Sequence, residues 1–72
     1  MIALDWVTLA LASPDAVAHD LFDADLRHAL RPIPEAGNRV LRVVYNAKVS
    51  PAIVVTVFFD RRERRRRESH LQ

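Results

Sequence analysis

The densest chemistry in this sequence lies near its C-terminus, where Arg61-Arg62-Glu63-Arg64-Arg65-Arg66-Arg67 sets six guanidinium groups in seven residues. A guanidinium is always charged and donates in a planar fork, so such a run suits phosphate or carboxylate partners. If about five phosphates were contacted, affinity would fall with salt at a log–log slope of roughly −4 to −5. A solvated tail and a grip on an acidic protein chain are the competing readings. A second group is Arg39, Arg42, Tyr45 and Lys48, on and just after one stretch of alternating apolar residues. With Arg61 and Arg62 leaving the neighbouring strand, these side chains are expected to converge on one edge of a sheet. There, cations would steady a phosphate and its developing charge while a base takes a 2′-hydroxyl proton, with no metal. His28 stands on the adjacent strand, and imidazole is the side chain suited to moving protons near neutral pH. The plainer readings are a packed histidine bonded to backbone, solvated strand arginines, and a core Tyr45 with its hydroxyl at the rim.

A third group, His19, Asp20, Asp23, Asp25 and His28, mixes hard oxygen ligands with imidazoles. An EF-hand loop would need a central glycine and a terminal glutamate, and both are missing. A polar loop is expected there, with no metal. No nucleophile elbow, cysteine–histidine pair or zinc spacing is present, and the single glycine argues against a phosphate-cradling loop. No cofactor is expected.

Short elements must position these groups. Residues 3–12 read as one helix, with Trp6, Leu9 and Ala10 at helical spacing and Leu4 and Leu11 widening the stripe. Ser13-Pro14 stops it, because the residue before proline is pushed out of the α region. Residues 16–19 fit either a short strand or another helical turn, and 19–25 read as an acidic loop. Three strands follow at 26–33, 39–46 and 52–59. The last has Ile53, Val55, Val57 and Phe59 on one face, with Val54, Thr56 and Phe58 on the other. Being apolar on both faces, it is expected to be central or interface-forming. Gly37 sits where a turn calls for positive φ, and Pro51 closes a second turn. Short connections imply an antiparallel meander.

With 72 residues there is room for one domain, expected over 1–60, followed by a basic helix or tail over 61–72. A core this small is marginal, and with no cysteine neither disulfides nor a thiolate zinc site can help. Association with a second copy or another protein remains, and a homodimer is expected. Half the residues are apolar and 28% charged, as in globular rather than disordered chains. No apolar run approaches the roughly 20 residues that span a bilayer. Leu9-Ala10-Leu11-Ala12-Ser13 imitates the end of a signal peptide, but no base precedes it and Asp5 interrupts it. A cytoplasmic protein without membrane contact is expected. Charge is divided: residues 1–38 carry six acids and two bases, whereas 39–72 carry nine bases and three acids. One face could therefore attract polyanions.

Several stretches resemble a small bacterial family, the domain of unknown function 4258. They are the Trp6-Val7 helix ending in Ala12-Ser13-Pro14-Asp15, the segment Arg39-Val40-Leu41-Arg42-Val43-Val44-Tyr45-Asn46, and Val54-Val55-Thr56-Val57-Phe58-Phe59-Asp60-Arg61-Arg62. The resemblance covers roughly residues 2–66. That family is similar to the RelE, ParE and BrnT toxins of toxin–antitoxin modules, and Arg61-Arg62-Glu63-Arg64 resembles the arginine-rich C-terminal helix of BrnT-type toxins. The resemblance implies a helical N-terminal part packed on an antiparallel sheet. Through the toxin relatives it implies messenger-RNA cleavage and neutralisation by an antitoxin, although for the family itself it implies no activity. Members usually carry a further helix, with a histidine and an arginine, ahead of the one holding Trp6; here Met1 lies just before that second helix.

The sequence therefore leads us to expect an α+β fold: a short N-terminal helix on a three- to four-stranded antiparallel meander, with an arginine-rich C-terminal helix or tail. The expected function is that of a toxin-like RNA-binding protein, with metal-independent RNA cleavage left open. Chemistry would fall to Arg42, Arg61 and Arg62, the positions the resemblance points to, with His28. RNA contact would fall to Arg39, Tyr45, Lys48, Arg64, Arg65, Arg66 and Arg67. The rival is a non-catalytic interaction module that dimerises through its sheet and binds an acidic partner. Gyrase inhibition of the ParE kind ranks lower, since nothing in the residues points to DNA topology.

Overall fold

A computed structural model of the chain describes residues 1–63. Arg64, Arg65, Arg66 and Arg67, and with them most of the expected basic tail, lie outside the described residues. The fold is α+β. Helix α1 (Leu4–Ala12) precedes strands β1 (Ala16–His19), β2 (Leu26–Ile33), β3 (Arg39–Asn46) and β4 (Ile53–Phe59), paired antiparallel in the order β1-β2-β3-β4. Residues 61–63 begin a second helix. Among the described residues no helix is long and apolar enough to cross a membrane.

The helix starts one residue later than expected and turns a different stripe inward. Ala10 is fully buried, and Trp6, Val7 and Leu11 pack beside it, while Leu4 and Leu9 are exposed. At 100° per residue, positions 6, 7, 10 and 11 form one face, and Leu4 and Leu9 fall off its two sides. The face settles on β2 and β3 over Ala29, Ile33, Leu41 and Val43. Alanine on both sides, Ala10 above and Ala29 below, lets helix and sheet approach closely. Arg31 donates from Nη1 to the carbonyl oxygen of Ser13, which satisfies a backbone acceptor where the helix ends.

Residues 16–19 resolve as a strand, since Ala16, Val17, Ala18 and His19 pair with Leu30, Ala29, His28 and Arg27. Around the first turn, Pro34–Ala36 form a 3-10 turn, and then Gly37 and Asn38 both take positive φ, 68° and 60°. Glycine and asparagine are the residues that enter this region at least cost.

Of the two roles expected for β4, central or interface-forming, the structure excludes the first. β4 is an edge strand, not a central one. Its apolarity on both faces is not matched by cover on both faces, and Ile53, Val54, Val55 and Phe58 remain exposed. Its alternation is also broken: Val54, not Val55, lies opposite Tyr45, because a bulge interrupts the β3–β4 register there.

Leu41 is completely buried beneath the helix, so Leu41→Ala should cost about 2–5 kcal/mol. Ile53→Ala at the exposed start of β4 should stay within roughly 0.5 kcal/mol. Urea denaturation of the two variants measures the contrast directly.

Candidate functional site

Antiparallel register places His28, Leu30, Arg42 and Val44 on the sheet face opposite α1. His28 pairs with Val44, and Leu30 with Arg42, so His28 and Arg42 are diagonal neighbours across β2 and β3. The Arg42 guanidinium donates from Nη1 to His28 Nδ1 at 2.8 Å. The other ring nitrogen, Nε2, lies 2.8 Å from Asp20 Oδ1. Arginine can only donate, so Nδ1 is the acceptor and Nε2 carries the proton that Asp20 receives. In this arrangement both imidazole nitrogens are engaged.

On its far side Arg42 holds Asp60. Nε and Nη2 lie 2.8 and 2.7 Å from Asp60 Oδ2. The other carboxylate oxygen, Oδ1, accepts from the backbone N–H groups of Arg62 and Glu63 at 3.0 and 3.2 Å. Asp60 is thus the N-cap of the helix that begins at 61. Its own N–H donates to the Val40 carbonyl, tying the cap to β3. Burial raises the Asp60 carboxyl, but the Glu63 N–H, the Arg42 hydrogen bond and charge, and the Arg62 N–H together outweigh it and hold the group below its ordinary pKa. Asp20 is held low chiefly by the His28 ring hydrogen bond, then by the N–H groups of Asp23 and Phe22.

These residues line an open cavity of about 380 Å³, together with His19, Leu21, Phe22, Phe58, Arg62 and Glu63. Among the described residues, three carboxylates, Asp20, Asp60 and Glu63, face two guanidinium groups, Arg42 and Arg62, so this wall is acidic by one formal charge with the histidines neutral. Leu21 and Phe22 are almost fully exposed at its rim, and Phe58 partly so.

The structure brings together three of the four residues expected to carry chemistry, His28, Arg42 and Arg62. Arg61 is exposed and does not line the cavity. The expected convergence of Arg39, Tyr45 and Lys48 with Arg42 is corrected. Arg39 and Tyr45 share the α1 face, because odd and even positions of β3 point oppositely. Arg39 lies 4.1 Å from the Phe59 ring centroid and donates to the Ala36 carbonyl, while Tyr45 packs against the core. Lys48, in the β3–β4 turn, pairs with Asp25 at 3.5 Å. The acidic loop is polar and self-capping, with Asp20 and Asp23 accepting from backbone N–H groups within it. Among the described residues no group of three or more His, Asp or Glu is arranged to hold an ion.

Sequence reasoning missed Asp20 and Asp60 as partners. Asp60-Arg61-Arg62-Glu63 carries the acid-x-x-Glu signature of a helix start, so the cap was open to detection. Nothing in the spacing of Asp20 to His28 announces their contact.

No known protein family, curated protein or solved structure matches this chain.

Arg42→Ala would leave the Asp60 carboxylate, only 6% exposed, without its cation, at a cost of about 3 kcal/mol near neutral pH. Both aspartates have folded pKa values below their unfolded ones, so their stabilisation is present above about pH 4 and is lost as pH falls through the folded values. Urea midpoints of the wild type should therefore be level near neutrality and drop below about pH 4. The Arg42→Ala penalty should shrink over the same descent.

Proposed function

We propose that this chain is a non-catalytic interaction module that offers an apolar patch, beside an anchored basic segment, to an acidic protein partner. The observation that carries the reading is saturation of the charged centre beside unsatisfied apolar surface. His28 and Arg42 spend their hydrogen bonds on Asp20, Asp60 and each other, whereas Phe22 is 96% exposed and Leu21 90%. Contiguous exposed apolar surface on a small soluble chain marks a contact site. The Asp60 cap fixes where Arg61 and Arg62 leave the sheet, with Arg62 on the same cavity as Leu21, Phe22 and Phe58. A partner segment alternating acidic and apolar residues would set its carboxylates against Arg61 and Arg62, and its apolar side chains against Leu21, Phe22 and Phe58.

A second reading, a metal-independent endoribonuclease of the RelE or BrnT type, is favoured by the meeting of His28, Arg42 and Arg62 on one open cavity. In it Arg42 would leave His28 and Asp60 for a phosphate oxygen. The freed Nδ1, with its ring oriented by Asp20, would take the 2′-hydroxyl proton. The 2′-oxygen would then attack phosphorus, and the 5′-oxygen would leave with a proton returned by the imidazole. Exposed Phe22 would stack a base. The acidic cavity wall opposes this reading.

The deciding experiment expresses the chain alone and together with the reading frames that adjoin its own. The interaction reading expects normal growth and intact transcripts with the chain alone. It also expects an adjoining product to co-purify, with recovery falling roughly tenfold or more in Phe22→Ser and in Arg61→Ser/Arg62→Ser. Growth arrest with cleaved transcripts, lost in a folded His28→Asn variant, would overturn it in favour of the nuclease.

A further inference from the structure

We infer that β4 is the seam of a two-fold dimer, pairing antiparallel with β4 of a second copy to form one continuous eight-stranded sheet. This deepens the reading of the chain as an interaction module by naming a surface separate from the Phe22 patch and its occupant.

The two edges of the sheet differ in kind. β1 is four residues long, with Pro14 and Asp15 before it and Asp20 after it. Short strands, prolines and charges are how soluble proteins blunt an edge. β4 has seven residues, Ile53-Val54-Val55-Thr56-Val57-Phe58-Phe59, with no charge, proline or glycine among them. Among the described residues its outer edge pairs with nothing. Ile53 is 61% exposed and Val55 56%. Such a strand carries open backbone donors and acceptors flanked by β-branched and aromatic side chains, and an unpaired edge of that composition recruits another strand.

Self-complementarity picks the occupant. The bulge falls at Val55, which has no partner in β3, and leaves Thr56–Phe59 as the regular stretch. An antiparallel pairing centred on Val57 sets Val57 against its own counterpart and Thr56 against Phe58 of the second copy, in both directions. Aromatic against β-branched is a favourable cross-strand combination, and the isologous contact closes on itself. Charge picks the orientation. Each β4 leads directly into Asp60 and the arginine run. In the antiparallel pair the two Arg61 residues stand about 26 Å apart at roughly 3.3 Å per residue, several Debye lengths at physiological salt. A parallel pair would place the two runs on neighbouring strands, where they would repel. The two-fold axis is perpendicular to the sheet, so both α1 helices lie on one face and both cavities on the other.

Sedimentation equilibrium of the full chain should report twice the chain mass at micromolar concentration. Val55→Lys puts a charge on the exposed seam and should raise the dimer dissociation constant roughly tenfold or more, with far-UV circular dichroism unchanged. The chain has no cysteine, so a single Val57→Cys substitution can cross-link only to another copy. It should oxidise to a disulfide-linked dimer, while Val17→Cys on β1 should not. A monomeric wild type at several hundred micromolar, or a dimer unaffected by Val55→Lys with cross-linking no better at 57 than at 17, would overturn the seam. Loss of partner recovery in Phe22→Ser with the dimer intact, or the reverse in Val55→Lys, tells a failure of one surface from a failure of the other.

Discussion

The ion pair between Arg42 and Asp60 governs the side of the molecule that faces away from α1. Asp60 is buried, and a buried carboxylate persists only where its charge and its lone pairs are met. Arg42 meets one oxygen with two nitrogens, and the first N–H groups of the terminal helix meet the other. The same guanidinium turns its remaining fork toward His28 and thereby decides which ring nitrogen keeps the proton. The helix start, the imidazole tautomer and the Asp20 loop thus all lean on one side chain in the middle of β3.

The parts of this centre are those of an acid–base site, yet their arrangement differs from one at rest and ready. A general base needs a lone pair directed at the proton it will take, with its second nitrogen held by an orienting group. Asp20 supplies the orienting group. The lone pair, however, points at Arg42, and Arg42 is in turn committed to Asp60. A phosphodiester would have to outbid the Asp60 carboxylate and the His28 ring for the guanidinium, while entering a cavity whose wall, among the described residues, is net acidic. Structural saturation of this kind stabilises, and the same contacts that make the centre durable leave it little free capacity.

Apolar surface tells the complementary story. The α1 side is closed economically, with alanines letting the helix sit low and Trp6 reaching Phe59 at 6.1 Å between ring centroids. A single nine-residue helix covers β2 and β3 and leaves most of β4 exposed. The opposite side buries Leu30, Val40 and Val44 but leaves Leu21, Phe22 and Phe58 at the rim of the cavity. A chain of this size has little surplus burial to spare. Surface left apolar on such a frame gains most from contact with another chain.

Periodicity and turn chemistry alone determined α1 and the three longer strands of this protein. Helix-spaced apolar residues ended by Ser13-Pro14, three alternating runs, and a Gly37-Asn38 turn all act over a few residues, where backbone sterics dominate. The choice of stripe on α1, with Leu4 and Leu9 outside it, depended on which face the sheet could accept. The short pairing of residues 16–19 likewise required a neighbour in β2 to complete its hydrogen bonds. The sequence marked His28, Arg42 and Arg62 as worth attention, because imidazole and guanidinium are chemically distinctive. Only the tertiary structure decided their company. Which face a strand residue occupies follows from register, so Arg39 and Arg42, three apart, parted to opposite sides. Contacts such as Asp20 with His28 and Asp60 with Arg42 join residues eight and eighteen apart, and long-range pairing of that kind leaves no local trace. The edge position of β4 has the same origin, since strand order is a property of the whole sheet, whereas apolarity on both faces of a strand is written in its seven residues.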